Sequence, residues 1–255
     1  MMKDKKIRII PSILYNKLNA IRGKNFEGWR VIGNVLQTTR LYSKRNIDEL
    51  FFLDTQATKL GQINYDLIKE FSKDCFMPIT IGGGIKSIEH IDELLKMGAD
   101  RVCINSSAFK NEEMIKNAIK KFGRQCIVIS IDYKQENNNS PPKVFINSGS
   151  LNTNINLIEY IKKIDKLNPS EVVLTSINHD GMMNGYDINN LKIIKKLIST
   201  SIIASGGAGS ETDVYNLINE TGITNISASS IFHFTETTPT SLKNFLKEKG
   251  LNIRK

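Results

Sequence analysis

The chain has 255 residues, 40% hydrophobic and 24% charged, and carries a net charge of +9 from 35 basic and 26 acidic side chains. That length fits one barrel-sized domain, no apolar run approaches the roughly 18 residues needed to span a membrane, and Cys75, Cys103 and Cys126 have no spacing suited to disulfides or zinc. The basic excess lacks the clustering with aromatics that nucleic-acid binding requires, so neither nucleic acid nor membrane is an expected partner; solvated lysines on amphipathic helices account for most of it, and basic surface near an anionic substrate for the useful remainder.

From the N-terminus, Met1–Ile10 is basic and then apolar for only a few residues before Pro11, too short for a signal-peptide core and without a cleavage site. It reads as entry into a strand of a cytoplasmic protein with reduced thiols. Short β-branched apolar runs then alternate with amphipathic stretches. The runs predict strands over Ile7–Ile13, Glu49–Asp54, Met77–Ile81, Arg101–Ile104, Cys126–Asp132, Glu171–Ser176, Ser201–Ala204 and Asn225–Ala228. The stretches predict helices over Thr39–Arg45, Tyr65–Cys75, Ile88–Met97, Asn111–Phe122, Ile155–Leu167, Ile188–Leu197, Thr212–Glu220 and Pro239–Lys249. Thr238 and Pro239 start the last, and Gly98, Gly123 and Gly222 close three others. Two connections are long: Tyr15–Gln37, with the single Trp29, and Lys134–Asn154, which includes Asn137–Pro142 and a short hairpin around Lys143–Asn147. Strand then helix, eight times, predicts an α/β fold, a single (β/α)8 TIM barrel over residues 1–255.

The chain also repeats itself. Leu14 matches Asp132 at an offset of 118, Asp54 matches Thr175 at 121, Gly84 matches Gly207 at 123, and Ser106 matches Ser230 at 124. Four strand units, duplicated, make half-barrels of about 1–123 and 124–255. Each half carries a glycine cluster after its third strand, Gly82–Gly84 and Ser205-Gly206-Gly207, and a serine pair after its fourth, Ser106–Ser107 and Ser229–Ser230, the first preceded by Asn105. Glycine lets backbone N–H groups approach a phosphate, and a helix start adds a favourable dipole. One Gly-Gly pair also serves tight turns; duplication at matched barrel positions points to two phosphate sites, one built from Gly84, Asn105 and Ser106, the other from Gly206, Gly207, Ser229 and Ser230. His90, His179 and His233 share no metal-ligand spacing, and neither a metal nor a cofactor is expected.

The segments Asp48–Asp54, Ile81–Ile85, Gly98–Asn105, Leu174–Gly181, Gly185–Asp187, Ile203–Gly209 and Ser230–Phe234 resemble the cyclase subunit of imidazole glycerol phosphate synthase, the HisF family, over essentially the whole chain from Arg8 to Arg254. The resemblance implies a β/α barrel paired with a glutaminase (HisH-like) subunit, whose ammonia crosses the barrel interior to a bis-phosphorylated ribonucleotide. It implies a channel-floor ring at Arg8, Glu49, Arg101 and Glu171, and substrate contacts at Arg22, in place of a loop lysine, and at Asp180 and Gly181 after strand 6. Of the family's two acid/base aspartates, that of strand 5 matches Asp132 and that of strand 1 falls at Leu14, its partner in the internal repeat as well.

Leucine cannot transfer a proton, and each such group typically contributes 10²–10⁴-fold. The preferred reading is therefore a paralogue that keeps barrel, phosphate cradles, glutaminase dock and ammonia path but serves glutamine-dependent amidation of a surface-polysaccharide (lipopolysaccharide) sugar with a separate amidotransferase. The alternatives are an authentic histidine-pathway cyclase in which another residue replaces the missing aspartate, and a noncatalytic ammonia-conducting scaffold. Strand parity places Arg8, Arg101 and Glu171 on the mouth-facing side of their strands, whereas Glu49 and Asp54 have opposite parity, so one of them faces outward or a bulge intervenes.

Overall fold

The computed structural model describes residues 6–137 and 140–254; the basic Met1–Lys5 segment and Asn138–Asn139, within the long connection after the fifth predicted strand, lie outside it. Eight parallel strands pair in chain order: β1 (Arg8–Asn16), β2 (Leu50–Asp54), β3 (Ile79–Gly82), β4 (Arg101–Ile104), β5 (Ile127–Lys134), β6 (Glu171–Ser176), β7 (Ser201–Ser205) and β8 (Asn225–Ala228). Pairing of Arg8 with Asn225 and Pro11 with Ala228 returns β8 to β1 and closes the (β/α)8 barrel.

Helices Val35–Ser43, Tyr65–Ser72, Ile88–Lys96, Glu112–Phe122, Leu157–Leu167, Ile188–Leu197, Glu211–Thr221 and Pro239–Glu248 follow the strands. Each is opened by a side chain that accepts a hydrogen bond from a first-turn N–H: Asn34, Asn64, Ser87, Asn111, Asn156, Asp187, Ser210 and Thr238. The first helix starts four residues before the predicted Thr39, because Asn34 accepts from Leu36 and Gln37. Three one-turn helices, Ala57–Leu60, Ser106–Lys110 and Ser230–Phe234, are too short to show periodicity in the sequence. Among the described residues no helix is long and apolar enough to cross a membrane.

β1 and β5 outrun their predicted ends by more than one residue for a common reason. β1 continues to Asn16 because Leu14, Tyr15 and Asn16 pair antiparallel with Ile21, Ala20 and Asn19. The connection Tyr15–Gln37 is thus no open loop: it holds a hairpin of Asn19–Lys24 and Glu27–Asn34. β5 likewise runs to Lys134 by pairing with Lys143–Ile146, which pairs in turn with Leu151–Asn156. Both hairpins rise from the C-terminal rim.

The outer core lies between strands and helices and holds Ile9, Ile13, Tyr15, Phe52 and Phe71. A separate apolar cluster, Ile10, Phe51, Cys103, Val128, Val173 and Ile203 with Leu53 against it, fills the middle of the barrel. Below this plug lie the four floor charges. Arg8 bonds Glu49 at 3.3 Å and pairs with Glu171, and Arg101 pairs with both glutamates. Thr80 donates to Glu49 at 2.5 Å, and Asn225 accepts from Arg8 at 2.9 Å. Glu49, just before β2, therefore faces inward, in step with Phe51 and Leu53, and no bulge is needed. Asp54 turns out of the barrel, accepting from the N–H groups of Gln56 and Ala57 at 2.8 and 3.0 Å.

Glu49 is only 2% exposed, so stripping a guanidinium from the ring strands a buried carboxylate, typically at a cost of about 3–5 kcal/mol. Arg101→Met is expected to lower the unfolding free energy by about 3 kcal/mol or more in urea titration; a loss under about 1 kcal/mol would reduce the ring to independent surface pairs.

Candidate functional site

The C-terminal rim encloses a cavity of about 380 Å³. Its floor and walls are the next inward residues up the strands: Ser12 and Leu14 of β1, Leu53 of β2, Ser130 and Asp132 of β5, Thr175 of β6, Ser205 of β7, with Asn105 after β4 and Ser227 of β8. Leu14 and Asp132 stand four strands apart around the eight, on opposite sides of the mouth. The predicted residues Gly84, Asn105 and Ser106 line this cavity together with Ser107, Lys86 and Lys110. A smaller recess of about 20 Å³ brings together Gly206, Gly207, Ser229, Ser230, Gly181, Asp180 and Arg22. The two glycine-serine groups thus collect on two sides of one mouth, while Arg8, Glu49, Arg101 and Glu171 gather at the opposite end.

Backbone shape explains two of these glycines. Gly84 has φ +72° and a Cβ there would lie 2.8 Å from that of Ala57; Gly207 has φ +116° and a Cβ would overlap the carbonyl oxygen of Gly185. Substituting Gly207 therefore perturbs the turn as well as anything bound there. The hydroxyl of Ser106 accepts from the N–H of Asn147 at 3.0 Å, so this serine fastens the β5 hairpin to the rim in addition to facing the cavity.

Arg22 comes from the β1 hairpin and is 4% exposed. Its Nε donates to Ser229 Oγ at 2.7 Å, and its Nη2 to the Ser12 carbonyl and hydroxyl at 3.0 and 2.9 Å. The hairpin is held there at its tip: Asn25 donates from its backbone to Asp180 O at 2.8 Å and from its side chain to Ile177 O and Asn178 O at 3.0 and 2.8 Å. Asn25 and Phe26 both have positive φ, 52° and 64°, the tight-turn conformation that matches strand twist but is unusual for an aromatic residue. Phe26 then packs over Gly149 of the β5 hairpin and lines the cavity with Trp29. The two hairpins meet above the mouth.

Asp132 and Asp180 are each 8% exposed and both line the large cavity. Asn105 donates to Asp132 Oδ2 at 3.1 Å. Burial first and the Asp180 charge second push the Asp132 carboxyl up to about 7, against the opposing hydrogen bonds of Ser130 and Asn105. Burial raises Asp180 also, with Arg22 opposing. Burial carries His233, which meets the Tyr42 hydroxyl at 3.1 Å, down to about 4. His179 bonds Ser176 at 2.8 Å and His90 accepts from the Lys86 N–H at 3.3 Å, local roles for all three histidines. Among the described residues no group of three His, Cys, Asp or Glu is placed to hold a metal.

Several cavity residues escaped the sequence reading. Ser12, Leu53 and Ser130 follow from counting two residues up their strands from the plug, and Ser227 from counting two up from Asn225, a signal that was available. Phe26 and Trp29 had none, since their placement depends on a hairpin with register shifts at Ala20/Ile21 and Arg22/Lys24.

Fold and mouth define a closed β/α barrel with a charge-paired floor, an apolar plug and a carboxylate-bearing mouth. The family model described as "Histidine biosynthesis protein" matches residues 8–238. The chain is 36% identical over 248 residues to "Imidazole glycerol phosphate synthase subunit HisF" of Clostridium botulinum (strain Okra / Type B1), covering 97% of this chain and 98% of that one. It is 38% identical to the proteins of that name from Natranaerobius thermophilus, over 97% and 98% of the two chains, and Staphylococcus aureus (strain JH9), over 98% and 99%. The chain belongs to the HisF family of histidine-biosynthesis barrels.

The titration of Asp132 carries a stability signature. In the folded chain its proton leaves near pH 7, in the unfolded chain near the ordinary 3.8. Between those values the folded state holds more protons, so stability falls as pH rises through the window, and the deficit is complete above it. Asp132→Asn is expected to raise Tm at pH 8 by about 2 °C or more relative to wild type, and by little at pH 4. An equal shift at both pH values in scanning calorimetry would refute the raised carboxyl.

Proposed function

We propose that the chain is the barrel subunit of a glutamine amidotransferase complex. A glutaminase docks on the floor, ammonia crosses the barrel interior, and an acceptor with phosphate groups sits in the mouth. The observation that carries this reading is the vertical order inside the barrel: paired charges, then an apolar plug, then a polar cavity that holds the buried carboxyl of Asp132. An apolar interior favours neutral ammonia over ammonium, since an unpaired charge is costly there. The basic side chains Arg22, Lys86 and Lys110 suit an anionic acceptor, with Gly84, Asn105 and Ser106 on one side and Gly207, Ser229 and Ser230 on the other.

Leu14 sets the chemistry apart from ordinary histidine-pathway cyclisation. Asp132 faces an apolar wall of Leu14 and Leu53 where a second strand-end carboxylate would stand, which supports service in the amidation of a surface-polysaccharide sugar through a separate amidotransferase. The second reading, an authentic imidazole glycerol phosphate synthase cyclase, is favoured by the full-length similarity to relatives that bear that name.

Supplied with saturating ammonium and the bis-phosphorylated ribonucleotide, the purified chain is expected to form imidazole glycerol phosphate well below about 1 s⁻¹, an ordinary enzymatic rate. Turnover at or above that rate selects the second reading. Co-purification with a glutaminase encoded nearby tests the dock, and failure of two folded proteins to associate at micromolar concentration removes the ammonia-receiving role. Ser229→Asp places a negative charge against Arg22 without straining a glycine turn. It is expected to weaken ribonucleotide binding by about tenfold or more in calorimetric titration, the loss of one charged hydrogen bond or more; unchanged affinity argues against an anion seat there.

A further inference from the structure

Leu14 leaves the family's second proton carrier missing from strand 1, and the mouth holds another carboxyl whose surroundings do not use it. Asp180, in the turn after β6, is fixed through its backbone: its N–H donates to Ser176 O at 2.9 Å and its carbonyl accepts from Asn25 at 2.8 Å. Its side chain lines both the large cavity and the small recess. Oδ2 is fully buried and has no hydrogen-bond partner. Arg22 lies near enough to oppose the rise in its titration but commits its guanidinium to Ser12 and Ser229. A buried carboxylate oxygen without a donor is costly and calls for either a proton or a ligand.

Asp132 stands beside Thr175 where β5 pairs with β6, Asp180 follows in the turn that closes β6, and both residues line the same cavity. The charged and titratable groups that face the two are few: Arg22 from the β1 hairpin, Cys103 from β4, and each other. Tyr42 and His233 reach them only through Arg22.

We propose that Asp132 and Asp180 form a one-proton carboxyl couple, so that this chain's two proton carriers serve a single reacting centre on the β5–β6 side of the mouth instead of two positions across it. This deepens the ammonia-receiving reading and rests on it. The acceptor class that fits is a phosphorylated molecule that presents one C=O group to that side. The ammonia nitrogen bonds to the carbonyl carbon as the C=O π pair moves onto oxygen. The carboxyl that holds the proton gives it to that oxygen, and the carboxylate takes one proton from the nitrogen. The product is the amino-hydroxy adduct, and the couple ends with one proton, as it began. Leu14 and Leu53 then form a wall against which no proton moves.

The test uses the full-length protein with carboxyl-¹³C aspartate. In the wild type, Asp132 and Asp180 are expected to titrate in two separate steps; Asp180→Asn is expected to lower the Asp132 midpoint by about one pH unit or more, because a like charge is lost. An Asp132 midpoint that does not move overturns the couple. The second readout is product formation from ammonium chloride and the bis-phosphorylated ribonucleotide with protein in excess. Asp132→Asn and Asp180→Asn are each expected to slow it by 10²–10⁴-fold, typical of a lost acid/base group, and the double variant by no more than the worse single. Asp180→Glu, which preserves the acid and checks against misfolding, is expected to recover part of the rate. Additive losses, or no product from the wild type, overturn the acid/base role. Ammonium is supplied directly, so failure to dock a glutaminase does not touch these results, and a normal dock with an unmoved Asp132 sinks the couple alone.

Discussion

Four charged side chains lie inside the barrel floor, and each is tolerated there because two of opposite sign pair with it. Arg8, Glu49, Arg101 and Glu171 come from β1, the residue before β2, β4 and β6, so their mutual pairing ties together strands spread around the circumference. Desolvated charges need partners with good geometry. The ring therefore constrains which residue of each strand faces inward, and with a period of two that choice propagates upward. Ile10, Phe51, Cys103 and Val173 follow as plug, and Ser12, Leu53, Asn105 and Thr175 as mouth.

The interior is thus graded from paired charge through hydrocarbon to a polar cavity. This grading separates two environments: the plug disfavours ions, while the mouth carries ionisable side chains. The mouth is finished by elements that belong to no strand–helix repeat. One hairpin extends β1 and inserts Arg22 beneath the rim, the other extends β5, and Phe26 against Gly149 joins them. Because the β1 hairpin is anchored through Asn25 to the turn that carries Asp180, the position of Arg22 and that of the Asp180 backbone are set together.

Asymmetry between the half-barrels is the other organising fact. The internal repeat places Leu14 and Asp132 at equivalent ends, yet one wall is aliphatic and the other holds a carboxyl with an elevated titration point. Burial is the largest cause of that elevation, and the charge of Asp180 adds to it. The same enclosure beneath the two hairpins buries both carboxyls, which raises the titration of each and leaves Asp180 Oδ2 without a donor.

Much of this was legible in the sequence. Short β-branched runs spaced by amphipathic stretches specify eight strand–helix units, because buried parallel strands and surface helices have different periods. Thr238 with Pro239 marks a helix start, and the nearly constant repeat offset places Leu14 opposite Asp132. The ring residues could be named, but the facing of Glu49 could not: parity offered two answers, and the partner guanidiniums on other strands selected one. The hairpin in Tyr15–Gln37 read as a loop, since its strands pair through irregular register and lack alternation. The placing of Asp132 and Asp180 at one cavity and the commitment of Ser106 to Asn147 were likewise decided by tertiary structure. They depend on contacts between segments that are far apart in sequence, where neither period nor spacing constrains which side chains meet.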